Sequence, residues 1–177
     1  MNKALFLDRD GVINEDAGYV CLPEDFRFIG GIFELCRTAQ GLGYLIIVIT
    51  NQAGIARGYY SEDDFHSLNE WMLMEFRKQG VGITAVYHCP YHPDCGIGKY
   101  KAESFDRKPE PGMIFRARDE HGIDLSSSVL IGDKDSDVEA GRRAGVGRNL
   151  LLRGKYQINA CDGTELYESL LDIAARL

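Results

Sequence analysis

The chain has 177 residues, 45% of them hydrophobic and 27% charged, with a formal net charge of -7. That length predicts one folded domain spanning 1–177, and the composition excludes a disordered, collagenous or coiled-coil chain. The acidic balance argues against nucleic acid as a partner. The longest run of apolar residues and tyrosine, 44–49, has six residues, where a bilayer-spanning helix needs roughly 20, so no membrane segment is expected.

The first element in chain order is a brief apolar stretch at 4–7, which reads as a strand. It is too short to be the apolar core of a signal peptide, about 7–15 residues, and a cytoplasmic location is expected. An irregular segment covers 14–27, and a helical pattern follows at 32–42. The strand at 44–49 leads into a second irregular segment, 53–60. Ser61 then opens the clearest helix, with Phe65, Leu68, Met72 and Phe76 at helical spacing, a Ser-x-x-Asp capping signal at Asp64 and a stop at Gly80. Strands are expected at 83–87, 129–131 and 149–152, and helices at 111–120, 136–144 and 164–177, the last with Leu166, Leu170, Ile173 and Leu177 as its apolar positions. The strands show no polar alternation, as expected when both faces are buried, so the elements predict an α/β sandwich around a central parallel sheet with right-handed crossovers. A long connection at 89–108, rich in Pro, Gly, Tyr and charge, is the length that usually marks function or an unusual anchor. The five cysteines, Cys21, Cys36, Cys89, Cys95 and Cys161, are odd in number and irregularly spaced, which favours buried thiols over a disulfide framework.

Four polar clusters fall at the ends of these elements. Asp8-Arg9-Asp10-Gly11 closes the first strand, Thr50-Asn51-Gln52 the second, Arg107-Lys108-Pro109 precedes a helix, and Gly132-Asp133-Lys134 ends a later strand. Each alone is an ordinary loop start. In an open α/β sheet, however, the carboxyl ends of the strands share one edge, where ligands bind. Asp8, Asp10 and Asp133 converging there would repel one another without a cation, and hard oxygen donors suit Mg²⁺ completed by water and a substrate phosphate. Lys108 and Thr50 would then serve phosphate oxygens, while Asp8 and Asp10 divide nucleophilic attack and proton transfer.

The four clusters resemble, in order, the motifs of the haloacid dehalogenase-like phosphatases. The phrases Asp16-Ala17-Gly18-Tyr19-Val20, Thr50 to Gly58, Cys89-Pro90-Tyr91-His92-Pro93 and Arg107 to Met113 resemble more closely the branch acting on heptose 1,7-bisphosphate and histidinol phosphate. The resemblance runs from Leu5 to about Leu152. It implies a three-layer Rossmann-like fold with central strand order 5-4-1-2-3 and no large cap domain. It also implies Asp8 as nucleophile forming an aspartyl-phosphate, Asp10 as general acid and base, and Thr50 and Lys108 as stabilisers of the phosphoryl group. Mg²⁺ is implied on Asp8, Asp133 and the backbone carbonyl of Asp10. Asp16, Ala17, Gly18, Tyr19, Asn51, Gln52, Ala53, Arg107 and Lys134 are implied as substrate contacts. The expected substrate is a small sugar phosphate, the 7-phosphate of heptose 1,7-bisphosphate in nucleotide-activated heptose synthesis for lipopolysaccharide or surface glycans, with the chain acting as a monomer. Histidinol phosphate is the rival substrate.

One departure concerns a structural zinc that the family commonly holds in the long loop. Of the four ligand positions, Cys89 survives while the others carry Tyr91, Ser104 and Asp106, so this zinc is not expected. A rearranged set of His88, Cys89, His92 and Cys95 has workable spacing, but strand geometry sends His88 and Cys89 to opposite faces. A loop packed through Tyr91, Tyr100, Phe105 and its prolines is the preferred reading. His66 and His121 read as surface histidines without partners. Asp137 reads equally as a solvated charge or as support for Lys134 or a metal-bound water. A receiver-type signalling module uses similar residues, but it places an acidic pair on the first strand and its phosphorylated Asp on a later one.

Overall fold

The short apolar runs form strands because each is hydrophobic on both faces and can be buried only between two layers. In the computed structural model, which describes residues 1–157, 159 and 164–177, five such runs and a sixth, mostly exposed edge strand form one parallel sheet. They are β1 (Lys3–Leu7), β2 (Tyr44–Asn51), β3 (Ala85–Cys89), β4 (Val129–Gly132), β5 (Arg148–Leu152) and β6 (Glu165–Tyr167), ordered β3-β2-β1-β4-β5-β6. Cys161 lies outside the described residues.

Six helices flank the sheet: α1 (Ile32–Gly41), α2 (Ala53–Ala56), α3 (Glu62–Lys78), α4 (Gly112–His121), α5 (Asp135–Ala144) and α6 (Leu170–Ala174). The alternation of side chains along each strand decides which layer they enter. Leu5, Leu7, Ile46 and Val48 pack against Leu35 of α1, Met72 and Phe76 of α3, and Ile173 of α6. Ala4, Phe6, Ile47 and Ile49 face the other way, against Met113 and Ala117 of α4 and Ala140 of α5. The result is a three-layer α/β sandwich. Between β1 and β2 the chain carries one irregular loop and α1, with no inserted cap domain among the described residues.

The strand order extends the expected 5-4-1-2-3 by one strand. Residues 164–177 read as a single helix in sequence; instead Glu165–Tyr167 pairs with Leu150–Leu152, and only Leu170–Ala174 is helical. The edge of β5 has backbone groups to satisfy, and a strand satisfies them where a helix cannot. Ser169 starts α6, accepting a hydrogen bond from the Asp172 backbone N–H at 3.2 Å. The irregular segment 53–60 contains the single-turn helix α2.

The α3 cap forms as its sequence predicts. Ser61 Oγ accepts from the Asp64 N–H at 3.1 Å, and Asp64 Oδ2 accepts from the Ser61 N–H at 2.8 Å. Ser61→Ala is expected to cost about 1 kcal/mol, read as a lower midpoint in urea with an unchanged slope.

Candidate active site

The strand order reverses between β1 and β4, so a crevice opens at their carboxyl ends. Asp8 follows β1 there, its N–H donating to Ile131 O of β4 at 3.0 Å. Lys108, 100 residues later, reaches the same point and uses all three ammonium protons. It donates to Asp8 Oδ1 at 2.8 Å and Ile49 O at 2.9 Å, and pairs with Asp137 Oδ1 at 2.7 Å. Burial works against the Lys108 charge, but the Asp137 and Asp8 carboxylates outweigh it and hold the ammonium above its ordinary value. Asn51 fixes the lysine's backbone, accepting from the Lys108 N–H and donating to the Lys108 carbonyl, both at 3.0 Å.

Asp8, Asp133 and Asp137 each offer a carboxylate oxygen within 4.8 Å of the others, and all three are buried. Burial pushes Asp8 up to about 6, with Asp137 adding to it and Lys108 opposing. Burial and the Asp8 charge push Asp133 up to about 8. Asp137 is saturated, since its Oδ2 accepts from the N–H groups of Asp133 and Lys134 at 3.2 and 3.1 Å. Asp133 Oδ1, by contrast, is buried with no hydrogen-bond donor, its nearest ammonium being Lys134 at 3.9 Å. An all-oxygen set with an unpartnered buried carboxylate oxygen fits a hard divalent cation. Gly11 permits the approach. Its backbone has φ +100°, and a Cβ there would sit 2.0 Å from Asp133 Oδ2.

Asp10 is held by three side chains. Its Oδ1 accepts from Arg9 Nη2 at 2.9 Å and Asn14 Nδ2 at 3.0 Å, and its Oδ2 from Gln52 Nε2 at 3.1 Å. Gln52 in turn donates to Thr50 Oγ1 at 2.8 Å and accepts from the Tyr60 hydroxyl at 2.5 Å. Thr50 and Gln52 are both buried. A cleft of about 450 Å³ is lined by Asp8, Asp10, Asp16, Gly18, Tyr19, Asn51, Gln52, Ala53, Arg107, Lys108 and Lys134, together with Lys155 and Tyr156. At its rim Lys134 Nζ stands 3.5 Å from Asp16 Oδ2 and 4.6 Å from the centre of the Tyr156 ring. Tyr156 donates to Asp16 Oδ2 at 2.6 Å. Burial resists the Asp16 charge, but the Tyr156 hydroxyl and Lys134 hold its carboxyl below the ordinary value. Arg107 donates to Tyr91 O at 3.2 Å.

A HAD-hydrolase-like family model matches residues 105–173. The chain is 60% identical over 151 residues to the D-glycero-alpha-D-manno-heptose-1,7-bisphosphate 7-phosphatase of Burkholderia mallei, covering 85% of this chain and 80% of that protein. It is 51% identical over 150 residues to the D-glycero-beta-D-manno-heptose-1,7-bisphosphate 7-phosphatase of Vibrio cholerae, covering 85% and 81%. The chain belongs to the heptose-1,7-bisphosphate 7-phosphatase family of haloacid dehalogenase-like hydrolases. Its members are phosphoric monoester hydrolases. Among solved structures, the D,D-heptose 1,7-bisphosphate phosphatase of B. bronchiseptica, complexed with magnesium and phosphate, superposes with a TM-score of 0.87 at 26% identity, covering 98% of this chain and 97% of that one.

Within this heptose-bisphosphatase fold, the site residues expected from sequence line the cleft, apart from Asp133, which stands beside Asp8, Thr50, which is bonded to Gln52, and Ala17, which does not line it. The sequence reading missed Tyr60, Lys155 and Tyr156, and it left Asp137 undecided. Asp137 is 1% exposed and ion-paired to Lys108, so it is no solvated charge. Its position four residues after Asp133 was visible in the chain, but its distant partner was not. His121 also has a partner, the Tyr87 hydroxyl at 3.2 Å. In the long loop, Tyr91 and Tyr100 pack with ring centres 6.0 Å apart, whereas Phe105 is largely exposed. His88 and Cys89 do point to opposite faces, His88 against Phe65 and Cys89 into the other core layer. Among the described residues, neither group of three or more potential metal ligands contains Cys89, His92 or Cys95.

Proposed function

We propose that this chain removes the 7-phosphate of D-glycero-D-manno-heptose 1,7-bisphosphate, releasing inorganic phosphate within nucleotide-activated heptose synthesis. The carrying observation is a buried aspartate at a strand end, Asp8, paired with Lys108 and set beside a separately anchored second carboxylate, Asp10. Asp8 attacks phosphorus in line with the sugar oxygen, and the P–O bond to carbon 7 breaks. Asp10 acts as the general acid, giving a proton to the leaving alkoxide. The resulting Asp10 carboxylate takes a proton from water, which attacks the aspartyl-phosphate, frees phosphate and restores both residues. Lys108 keeps positive charge against the equatorial oxygens throughout, and Asp137 holds Lys108 in place. Thr50, the second stabiliser of the phosphoryl group that the resemblance implies, also accepts from Gln52, which in turn donates to Asp10.

Asp8 and Asp133 would hold Mg²⁺, with the Asp10 carbonyl as the third protein donor implied by the resemblance, and the ion would neutralise phosphoryl charge. The magnesium and phosphate held by the B. bronchiseptica relative support this reading. Arg107, Lys134 and Lys155 make the rim of the cleft cationic on a chain of net charge -7, which suits a substrate carrying a second phosphate. A receiver-type module is disfavoured because β3 ends at Cys89 with no acidic residue, while Asp8 directly follows β1.

The test is phosphate release, with and without Mg²⁺, from both anomers of heptose 1,7-bisphosphate beside histidinol phosphate, fructose 1,6-bisphosphate and an aryl phosphate. A kcat/KM preference for a heptose anomer is expected; preference for histidinol phosphate overturns the substrate. Arg107→Ala is expected to lower kcat/KM for the heptose substrate by about 10–100-fold, the worth of one charged hydrogen bond, while changing the aryl phosphate little. Equal losses on both would remove Arg107 from substrate recognition.

A further inference from the structure

A second group of metal-ligand type lies away from the crevice, where the first turns of α3 meet the end of β3. Glu62 and His66 are four residues apart on α3 and therefore share a helix face. His88 projects from β3 toward them, packed against Phe65 with ring centres 4.4 Å apart and edge-on to His66 at 5.3 Å. One ligand atom from each of Glu62, His66 and His88 lies within 4.8 Å of the others. We propose that Glu62, His66 and His88 form a binding site for a divalent transition metal of the zinc type, with a coordination position left open to water or a small anion.

Three observations carry this beyond a chance cluster. The first is His88 Nε2, which is buried and has no hydrogen-bond partner. A buried ring nitrogen without a partner is costly, and a metal ion is one of the groups that satisfies it. The second is spacing. His88 Nε2 lies 3.6 Å from Glu62 Oε2, too far for a hydrogen bond. Two ligands of a tetrahedral ion with bonds of about 2.0–2.1 Å stand about 3.4 Å apart. His66 is exposed, so its imidazole can rotate to close the third side.

The third observation is outer support. The Tyr100 hydroxyl donates to Glu62 Oε1 at 2.7 Å, leaving Oε2 toward His88. A carboxylate oriented by a donor on its far oxygen is the arrangement that surrounds ligating groups in metal sites. Ser61 caps the same turn. An ion here would tie α3, β3 and, through Tyr100, the long loop 89–108 into one unit. Two imidazoles and one carboxylate suit zinc, whereas the all-carboxylate cluster at Asp8 suits a harder cation, so the two sites select different ions.

The experiment titrates Zn²⁺ into the whole, chelator-stripped protein with excess Mg²⁺ present to occupy the carboxylate cluster, reading binding by calorimetry. Co²⁺ absorption in the visible serves as a geometric probe. Wild type is expected to bind one Zn²⁺ and, with Co²⁺, to give the intense absorption of a four-coordinate site. His66→Ala and Glu62→Gln, both at the surface end of the site, are each expected to weaken Zn²⁺ about tenfold or more, and Tyr100→Phe about tenfold. Circular dichroism of each variant separates loss of a ligand from loss of the fold. Absence of Zn²⁺ binding in the presence of Mg²⁺ overturns the proposal, as does a folded His66→Ala and Glu62→Gln pair that binds Zn²⁺ as wild type does.

Discussion

Asp8→Asn is expected to fold and to lose phosphate release by a factor on the order of 10⁴–10⁶, because it removes the proposed nucleophile. The fold tolerates the change for a specific reason. Asp8 is one of three buried carboxylates pressed together, and the Lys108 ammonium keeps a second partner in Asp137 at 2.7 Å, so the variant strands no charge. Asp10→Asn separates the two roles. Its amide still occupies the space among Arg9, Asn14 and Gln52, but it can neither protonate the leaving alkoxide nor activate water. Turnover of a sugar phosphate is expected to fall by about 10²–10⁴-fold. An aryl phosphate, whose leaving group needs no proton, should still load Asp8. Mass spectrometry of Asp10→Asn after mixing with aryl phosphate is then expected to show one phosphoryl adduct per chain, absent in Asp8→Asn. Full activity in Asp10→Asn would remove Asp10 as acid and base, and an adduct in Asp8→Asn would remove Asp8 as nucleophile.

Gly132→Ala is expected to damage stability and catalysis together. A methyl at Gly132 would sit 2.2 Å from Asp137 Cβ and 2.5 Å from its Oδ2. Asp137 cannot step aside cheaply. Its Oδ1 is paired with Lys108, and its Oδ2 takes the N–H groups of Asp133 and Lys134. Relieving the clash therefore shifts β4 against α5 or breaks the Lys108 pair. Overpacking of this kind costs about 3 kcal/mol, and in a chain of this size that lowers Tm by roughly 6–12 °C. Because Lys108 also contacts Asp8, a displacement of about 1 Å is expected to lower kcat on the order of 100-fold. Gly154→Ala is the control, since a methyl there first meets Asp133 Cβ at 3.9 Å, an ordinary contact. Its stability should stay within about 0.5 kcal/mol. Wild-type melting and turnover in Gly132→Ala would mean that Asp137 is not clamped as described.

The sheet was legible because β1, β2, β4 and β5 are hydrophobic runs buried on both faces, and that property is local to each run. Residues 165–167 were not legible as a strand. Leu166 is exposed and Tyr167 buried, and apolar spacing over 164–177 also suits a helix; the open edge of β5, which is not written in that segment, decided it. The active site divides in the same way. Asp8, Thr50 to Gln52 and Asp133 were readable because each stands at or just after the carboxyl end of a strand, and parallel strands bring those ends to one edge.

The amino-acid sequence by itself determined the parallel α/β class, the strand-end position of Asp8 and Asp133, and the set of residue types that phosphoryl transfer requires. Only the tertiary structure decided that Asp137 rather than solvent faces Lys108, that Tyr60 and Gln52 hold Asp10, that Lys155 and Tyr156 join Asp16 at the rim, and that His88 meets Glu62 and His66. The physical reason is range. Hydrophobic periodicity and capping act within a few residues, so the chain displays them directly. An ion pair, a buried hydrogen bond or a ligand set is fixed by which distant side chains the packing brings within about 3 Å, and that distance is set only when the layers close.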